Sequence, residues 1–447
     1  MIFEARTALS APVHGRGFLS AFFLPRSQLP VSGRPRMTPL LPRAVDPVLP
    51  PSVTSQARDI GPLESPLLWL AFAGAAAAVL AVTIALAHRR RARRWGISGS
   101  IALFLIAAVT AVNSYVGYVR TPSDLGRLLQ RGGGVMNVAG TLLRSGSDDP
   151  ADSADPSSPD SSTGGTSGGS PSAGRPATPA GDNGGIEVLN VPDPAHGVSN
   201  GENYVILPTG YHDPANAAKR YPVVYLIHGY PYGGPRDWLT SGSAPQTLKS
   251  LEDAHVIQPM IIVSVDLTAN RPSTDWECLN VPGGPQLETY LASSIVPSVD
   301  KHFRTFADRG HRALGGMSGG GFGALNIGLH HLDEFGTLLI SLPYDDLNDS
   351  VGVLGGNQAA IAANTPRRYI PTMPFPQKIA VMLTVGTGAP TDVATAHRIA
   401  GSLQRRGQEV VVHAERGFNH TWHTARATLP YMLAFADQNF RTAPASS

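Results

Sequence analysis

Two long apolar runs without a charged residue constrain this 447-residue chain more than any other feature. Pro66–Ala87 and Ile97–Val119 each match, at about 1.5 Å of helical rise per residue, the roughly 30 Å hydrocarbon layer of a membrane. Residues 88–94 lie between the runs and carry five arginines. We predict two transmembrane helices, 66–87 and 97–119, joined by a basic turn that the positive-inside rule assigns to the cytoplasm. Two helices buried in a soluble core are the alternative.

The segments on either side of the predicted hairpin differ in composition. Residues 1–65 are rich in Pro, Arg and Ser without regular periodicity, so we expect disorder there, with Met37 as an alternative first residue. Residues 120–144 form a juxtamembrane segment. Residues 145–185 contain only Ser, Gly, Pro, Asp, Thr and Ala apart from one Arg and one Asn. With no large apolar side chain to bury, they predict a flexible linker that could hold the next domain tens of ångströms from the membrane.

From residue 186 to residue 441 the pattern is that of a folded α/β domain. Short β-branched runs alternate with helical segments, which favours a mostly parallel sheet with helices on both faces. In such sheets functional residues lie at the carboxyl ends of the strands. The predicted strands are Tyr204–Leu207, Val223–Ile227, Met260–Val263, Leu338–Ile340, Ile379–Leu383 and Glu409–Val412. The predicted helices are Gln286–Phe303, Gly320–His331, Val393–Arg406 and Thr421–Phe440.

The sharpest chemical signal is a Gly-x-Ser-x-Gly motif at residues 316–320. It follows the strand-like Arg312–Leu314 and precedes a predicted helix, which is the context of a nucleophile elbow, a tight turn that exposes its serine. Ser318 is therefore the candidate nucleophile. A phosphate-binding glycine loop is the alternative, but the motif lacks the lysine that such a loop carries.

A serine hydroxyl is a weak nucleophile and requires a base that is oriented by a third group. Asp392 follows a predicted strand, on a loop at the carboxyl edge of the sheet, and is the candidate orienting acid. Capping of the helix that begins at Val393 is the alternative role for this aspartate. The fallback acids follow the preceding strand and are Asp345, Asp346 and Asp349.

His420 lies on the loop before the last predicted helix and is the candidate base, with His423 as the alternative one helical turn later. Acyl chemistry also needs two backbone N–H groups to meet the negative charge that develops on the carbonyl oxygen. Gly319, directly after the nucleophile, supplies one. The other lies on the loop after the second predicted strand, where Pro231 has no N–H and Tyr230 is the expected donor.

Three motifs together resemble one branch of the α/β-hydrolases. They are the loop that begins His228-Gly229, the elbow at residues 316–320 and the terminal His420-x-Trp422. The branch is the esterase D-like group, which includes S-formylglutathione hydrolases, feruloyl esterases and actinobacterial mycolyltransferases. Residues 274–276, 288–291 and 296–297 look particularly like the mycolyltransferase pattern.

This resemblance covers about residues 186–440 and implies an α/β-hydrolase fold with serine acyl chemistry. It implies Ser318 as nucleophile, Asp392 as acid and His420 as base. It also implies the backbone N–H groups of Tyr230 and Gly319 as oxyanion donors. The candidate substrate contacts are His228, Trp276, Glu288 and Trp422. The chain differs from mycolyltransferases, which carry an aspartate in the oxyanion loop and a glutamate as the triad acid.

Composition narrows the remaining classes of function. The formal net charge of +2 gives no basic field for nucleic acid, and the apolar runs offer no ion path. The single cysteine, Cys278, excludes an intrachain disulfide, and we interpret it as a buried apolar residue rather than a reactive thiol. We expect neither a metal nor a cofactor.

The sequence predicts a membrane-anchored, extracytoplasmic serine esterase or acyltransferase. Its expected substrate is an ester, such as that of a lipid or a cell-envelope glycolipid. A non-catalytic binding module of hydrolase fold is the alternative.

Overall fold

The computed structural model describes residues 45–86, 90–130 and 185–443, and within them eight strands form one mixed sheet. The strands are β1 (Ile186–Asn190), β2 (Glu202–Ile206), β3 (Val223–Ile227), β4 (Ile261–Val265), β5 (Arg312–Met317), β6 (Thr337–Ser341), β7 (Ala380–Gly386) and β8 (Glu409–Glu415). Their order across the sheet is β1-β2-β4-β3-β5-β6-β7-β8. Strand β2 is antiparallel to both neighbours, and all other pairs are parallel.

Helices cover both faces of this sheet. They are α1 (Pro51–Ala57), α2 (Pro66–Ala85), α3 (Arg90–Val116), α4 (Pro122–Gln130), α5 (Ala244–Asp253), α6 (Leu287–Tyr290), α7 (Val296–His302), α8 (Gly319–His330), α9 (Gln358–Ala363), α10 (Pro366–Tyr369), α11 (Pro390–Arg405) and α12 (Trp422–Thr442). Helices α6, α7, α8 and α11 pack on one face, and α5 and α12 pack on the other. Side chains of a strand alternate between the two faces, as Tyr225 and Leu226 of β3 do.

The sheet confirms the predicted α/β-hydrolase fold, because a largely parallel sheet covered on both faces carries the serine turn directly after β5. Each predicted strand overlaps an observed one. The first strand, Ile186–Asn190, was missed because it is an edge strand in which only Leu189 is buried, so it lacks an apolar run. The predicted helix 286–303 is divided by a π-helical turn at Leu291–Ile295.

Helices α2 and α3 are long and apolar enough to cross a membrane by length and composition. They run antiparallel, since Gly96 lies against Thr83 and the hydroxyl of Ser100 donates to the carbonyl oxygen of Ala76 at 2.9 Å. Helix α3 begins at Arg90, so most of the arginines predicted to form the turn are helical; arginine has a high helix propensity. The two helices end at residues 85 and 116, somewhat before the predicted ends.

The prediction of disorder over residues 1–65 is wrong for residues 45–65; residues 1–44 lie outside the described chain. Helix α1 begins with a proline in its first turn and buries Val53 and Ala57. Val53 belongs to the same core as α5 and α12. Arg58 pairs with Glu415 of β8 at 2.7 Å. This segment therefore lies across the α/β domain as an ordered strap.

The linker predicted at 145–185 lies outside the described residues, apart from residue 185. The end of the apolar hairpin nevertheless contacts the domain directly: Val116 is buried in the same core as Trp238 and Trp422. The linker was expected to allow a separation of tens of ångströms between the domain and the membrane, but side chains at the end of α3 pack in the core beneath α12.

Candidate active site

Ser318 lies at the turn between β5 and α8, at the carboxyl end of a central strand. Its backbone has φ 54° and ψ −121°, which is a strained conformation for a residue with a side chain. A β-carbon on Gly316 would collide with the backbone of Gly320, so only glycine permits the chain to turn this tightly. The Ser318 amide donates to the Ser341 carbonyl at 3.0 Å and fixes the turn on β6. This geometry leaves the serine side chain partly exposed above the sheet.

The structure brings Ser318, His420 and Asp392 together in one line. His420 Nε2 lies 2.9 Å from Ser318 Oγ, and His420 Nδ1 lies 2.7 Å from Asp392 Oδ2. Because an ionised carboxylate only accepts hydrogen bonds, Nδ1 carries the proton of the neutral ring and Nε2 is the acceptor. The imidazole is thus oriented to take a proton from the serine hydroxyl.

Two loops at the carboxyl edge meet to place the acid beside the histidine. Asp392 lies in the first turn of α11, after β7, while His420 lies between β8 and α12. The amide of Gly388 donates to the carbonyl oxygen of Phe418 at 2.7 Å, which holds the loops together. Parallel pairing of β7 with β8 brings both loops to the same edge.

Two of the three fallback acids pair with arginines. Asp345 accepts hydrogen bonds from Arg367 and Arg398, each at 2.9 Å. Burial alone would raise the pKa of Asp345, but the hydrogen bonds from Arg398 and Arg367 hold it below its usual range. Asp346 pairs with Arg367 at 3.3 Å, and the side chain of Asp349 lies outside the described residues.

The alternative base, His423, is directed away from the serine. Its Nε2 lies 3.1 Å from the carbonyl oxygen of Ser114 at the end of α3. Trp422, a candidate substrate contact, is buried and packs edge-to-face on Trp238 with ring centroids 5.3 Å apart. It also faces Tyr118, so Trp422 and His423 both contact the end of the hairpin.

The expected oxyanion donors lie next to each other. The backbone nitrogen of Tyr230 is 3.3 Å from the position that a β-carbon on Gly319 would take. His228, expected to contact substrate, is instead fully buried: its Nδ1 bonds the carbonyl of Gly229 at 2.9 Å, and its Nε2 accepts the amide of Leu267 at 3.4 Å. With both ring nitrogens bound to backbone, His228 shapes the loop that presents the Tyr230 amide.

Glu288, a candidate substrate contact, lies away from Ser318. It binds His330 and His331 at the far end of α8, about 16 Å along the helix from Gly319. Burial alone would raise the pKa of Glu288, but these two histidines lower it to about 2. Trp276 is half-buried, and its indole N–H donates to the Thr268 carbonyl at 3.2 Å.

Cys278 is fully buried beneath the elbow, with Sγ 4.0 Å from the carbonyl oxygen of Gly319. Burial raises the pKa of its thiol well above the usual value, with a further rise from Glu277 and Asp275. The side chain therefore stays a neutral packing group. Among the described residues, no group of three or more His, Cys, Asp and Glu side chains could hold a metal ion.

Comparison with known proteins places the chain in a family. The profile of the Esterase family, described as "Putative esterase", matches residues 200–436, which is more than half of the chain. The chain belongs to the Esterase family. The matched residues of this esterase include the elbow, the segments that carry Asp392 and His420, and the loop of Tyr230.

Two curated relatives share part of this esterase. An uncharacterised protein of Corynebacterium glutamicum is 31% identical over 147 residues, which are 33% of either chain. Esterase Rv1288 of Mycobacterium tuberculosis is 32% identical over 134 residues, 29% of this chain and 26% of that protein. The matched regions thus span a third or less of these relatives. Among solved structures, a ferulic acid esterase is 22% identical, covers 57% of this chain and 98% of its own, and has a TM-score of 0.49.

Sequence reasoning missed the residues that join the hairpin to the domain, above all Arg426, Glu64 and Tyr118. Asn113, a polar residue within the second uncharged run, also contributes to this junction. Its side chain bonds the Leu63 carbonyl at 2.9 Å and the backbone of Val119 at 2.8 Å. The signals available in the sequence were this asparagine and Arg426, which lies between two alanines in α12.

Proposed function

We propose that this member of the Esterase family is a serine esterase that works through an acyl-enzyme on Ser318. The observation that carries the proposal is the position of the His420 ring, which lies within hydrogen-bond distance of both Ser318 and Asp392. The chain order Ser, acid, His is that of the α/β-hydrolases. The "esterase" in the name of the mycobacterial relative supports the same reaction class.

The geometry suggests the following steps. The ester carbonyl carbon is attacked by Ser318 Oγ while His420 Nε2 takes the hydroxyl proton, and Asp392 stabilises the imidazolium. The N–H groups of Gly319 and Tyr230 stabilise the oxyanion. His420 then returns the proton to the leaving alcohol as the carbon–oxygen bond breaks, which leaves an acyl group on Ser318.

The acyl-enzyme is resolved by a second attack. Water, deprotonated by His420, releases a carboxylic acid and regenerates the serine. A hydroxyl group of an acceptor can take the place of water at the same position, in which case the acyl group is transferred. Both outcomes use the same residues. The proposed activity is therefore ester hydrolysis, with acyl transfer in its place when an acceptor alcohol is bound at the position of the water.

We propose further that α2 and α3 cross a membrane and that the catalytic domain lies outside the cytoplasm. The arginines at the start of α3 mark the cytoplasmic end of the hairpin. The domain contacts the opposite end, near Val116. Protease added to intact cells should then cleave within residues 145–184; protection of this segment in intact cells and cleavage only after lysis would reverse the orientation.

The test of the chemistry is covalent labelling by a fluorophosphonate. Wild-type protein should be labelled and should hydrolyse short p-nitrophenyl esters, whereas Ser318→Ala should lose both properties. Ser402→Ala, on the helix that carries Asp392, is the matched control and should behave as wild type. Labelling that persists in Ser318→Ala would overturn the assignment. A wild-type protein that is neither labelled nor active would favour the non-catalytic alternative.

A further inference from the structure

We infer that the end of the apolar hairpin is docked on the catalytic edge of the sheet, and that it holds the Ser318 site at the bilayer surface to act on amphiphilic esters within that bilayer. This inference rests on the proposed function, since it needs α2 and α3 in a membrane and Ser318 as the nucleophile. It goes beyond anchoring, because an anchor on a flexible linker would leave the position of the site undetermined.

The first contact lies three residues after the candidate base. His423 Nε2 is 3.1 Å from the Ser114 carbonyl oxygen, in the last turn of α3. The ring also lies so close to Gly117 that a β-carbon there would collide with it. Burial, together with the neighbouring charge of Arg426, lowers the pKa of His423, so the ring is neutral and able to accept from Arg426. The end of α3 therefore lies against the beginning of α12, beside His420.

The second contact lies on the loop that holds the candidate oxyanion donor. The hydroxyl of Tyr118 is 3.0 Å from Asp237 Oδ1, and the hydroxyl of Ser241 donates to the Tyr118 carbonyl at 2.6 Å. Both domain residues follow β3, on the same loop as Tyr230. The beginning of α12 and the loop after β3 both lie at the carboxyl edge, where Ser318 also lies. The hairpin thus docks on the catalytic edge and not on a remote face.

The junction has the features of a fixed interface. Arg426 in α12 pairs with Glu64, directly before α2, and both side chains are buried. Arg426 also donates to the Ser241 carbonyl at 2.9 Å, which joins both contact regions. Tyr118 packs against Trp422 within the core. Buried ion pairs and shared aromatic packing resist separation, since parting them would leave charges without partners.

The length of α3 sets the level of this interface relative to a bilayer. Arg93 and Ser114 are 21 residues apart, or about 32 Å along a helix, which matches the hydrocarbon thickness of about 30 Å. With the arginines at one membrane surface, Ser114 and His423 lie at the other. Only 11% of the apolar 18-residue stretch of α3 is buried by protein, and the same holds for α2. Most of the hairpin is therefore free to contact lipid. Because residues 420 and 423 are at most about 11 Å apart, Ser318 Oγ lies within roughly 30 Å of the Ser114 carbonyl.

A site fixed at this level has a defined source of substrate. Esters of amphiphiles anchored in the same leaflet reach it by lateral diffusion at a high effective concentration, whereas a soluble ester gains nothing from the docking. The substrate class we assign is an ester whose acyl or alcohol part is long and apolar and resides in the bilayer.

Distance is measured first, independently of catalysis. Thr391→Cys in a Cys278→Ala background places a maleimide donor dye next to Asp392 in the full chain, reconstituted in phosphatidylcholine vesicles with acceptor-labelled headgroups. Energy transfer should be strong and should not change when the segment 145–184 is doubled in length. Weak transfer, or transfer that falls with the longer linker, would overturn the inference.

Undocking provides the matched comparison. Tyr118→Ala with Ser241→Ala removes contacts of the junction and should reduce the transfer. Tyr115→Ala changes a residue that is 47% exposed in the last turn of α3 and should leave the transfer unchanged. Unchanged transfer in the double variant would overturn the inference, because the named contacts would not hold the site.

The substrate class is tested with a fluorogenic diacylglycerol analogue. The enzyme should hydrolyse this lipid about tenfold or more faster when both share one vesicle than when they are in separate vesicles. Equal rates in the two arrangements, together with normal hydrolysis of a soluble butyrate ester, would overturn the inference and leave the proposed esterase intact. Turnover of neither ester would overturn both.

Discussion

Arg426 forms an ion pair with Glu64, Nη2 to Oε1 at 3.1 Å, with side-chain exposures of 1% and 0%. The two residues are 362 positions apart in the chain, one on the helix after His420 and the other before the first apolar helix. Burial lowers the pKa of Arg426 to about 10, so the guanidinium keeps its charge at neutral pH opposite Glu64. The pair therefore makes the folding of the strap, the hairpin end and the hydrolase domain interdependent.

Removing the acid of this pair should destabilise the whole domain. Glu64→Gln leaves a buried guanidinium without a counter-charge, which typically costs about 3–5 kcal/mol. We expect a loss of that size in the free energy of unfolding, measured by urea titration of the detergent-solubilised protein. Lys249→Ala breaks the exposed pair with Asp253 on α5 and should cost less than about 1 kcal/mol. Equal losses in the two variants would contradict the role assigned to Glu64.

Asp392 should control the rate and not the binding. Asp392→Asn keeps the shape but removes the charge that holds the His420 proton on Nδ1, so we expect kcat to fall by about 10³- to 10⁴-fold with little change in KM. Asp346→Asn, which alters an acid paired with Arg367 near the same edge, is the control and should retain kcat within a few-fold. Steady-state hydrolysis of a p-nitrophenyl ester measures both. A fall of less than tenfold for Asp392→Asn would contradict the assigned role.

The positions of Ser318, Asp392 and His420 could be predicted because local sequence determines them. The glycines around the serine permit one kind of turn, and the acid and the histidine each follow a recognisable strand. Parallel strands bring their carboxyl ends to one edge, so three separate signals converge on one place. The structure brings the three side chains together as the sequence predicted.

The side chains of the candidate substrate contacts could not be placed from the sequence, because a position in the chain does not give the direction of a side chain. His228 and Trp422 lie close to the site along the sequence, but they point into the core. Glu288 belongs to a segment that resembles the mycolyltransferase pattern, but its side chain binds His330, at the end of α8 far from Ser318. The ordered strap around α1 was missed for a related reason: a helix of seven residues that buries two apolar side chains has no periodicity to detect.

Cys278 should be inert in the native protein. Its side chain is fully buried, and the raised pKa of its thiol keeps it protonated near neutral pH. Iodoacetamide should therefore label the cysteine only after unfolding in guanidinium, as followed by mass spectrometry. Cys278→Ala should retain esterase activity within about threefold, because alanine keeps an apolar group at this buried position. Rapid alkylation of the folded protein, with loss of activity in parallel, would contradict a purely structural role.

The contact between the strap and β8 should make stability depend on pH. His413 Nδ1 lies 3.0 Å from Asp46 Oδ2, Nε2 lies 3.5 Å from Glu415, and the ring stacks on Tyr431. Burial alone would lower the pKa of His413, but the hydrogen bonds that its ring donates to Asp46 and Glu415 raise it to about 9, while Glu415, which also pairs with Arg58, has a lowered pKa.

Because the folded pKa of His413 lies above the unfolded value of about 6.5, the contribution to stability is complete below pH 6.5 and is lost as the pH rises through 9. The melting temperature of the wild type should therefore decline between these values more steeply than that of Asp46→Asn, in which the raised pKa is partly relieved. His302→Gln changes an exposed histidine whose ring bonds the Ser298 carbonyl, and this variant should keep the wild-type profile. Parallel curves for wild type and Asp46→Asn across pH 6 to 10 would exclude the proposed proton linkage between the strap and the hydrolase sheet.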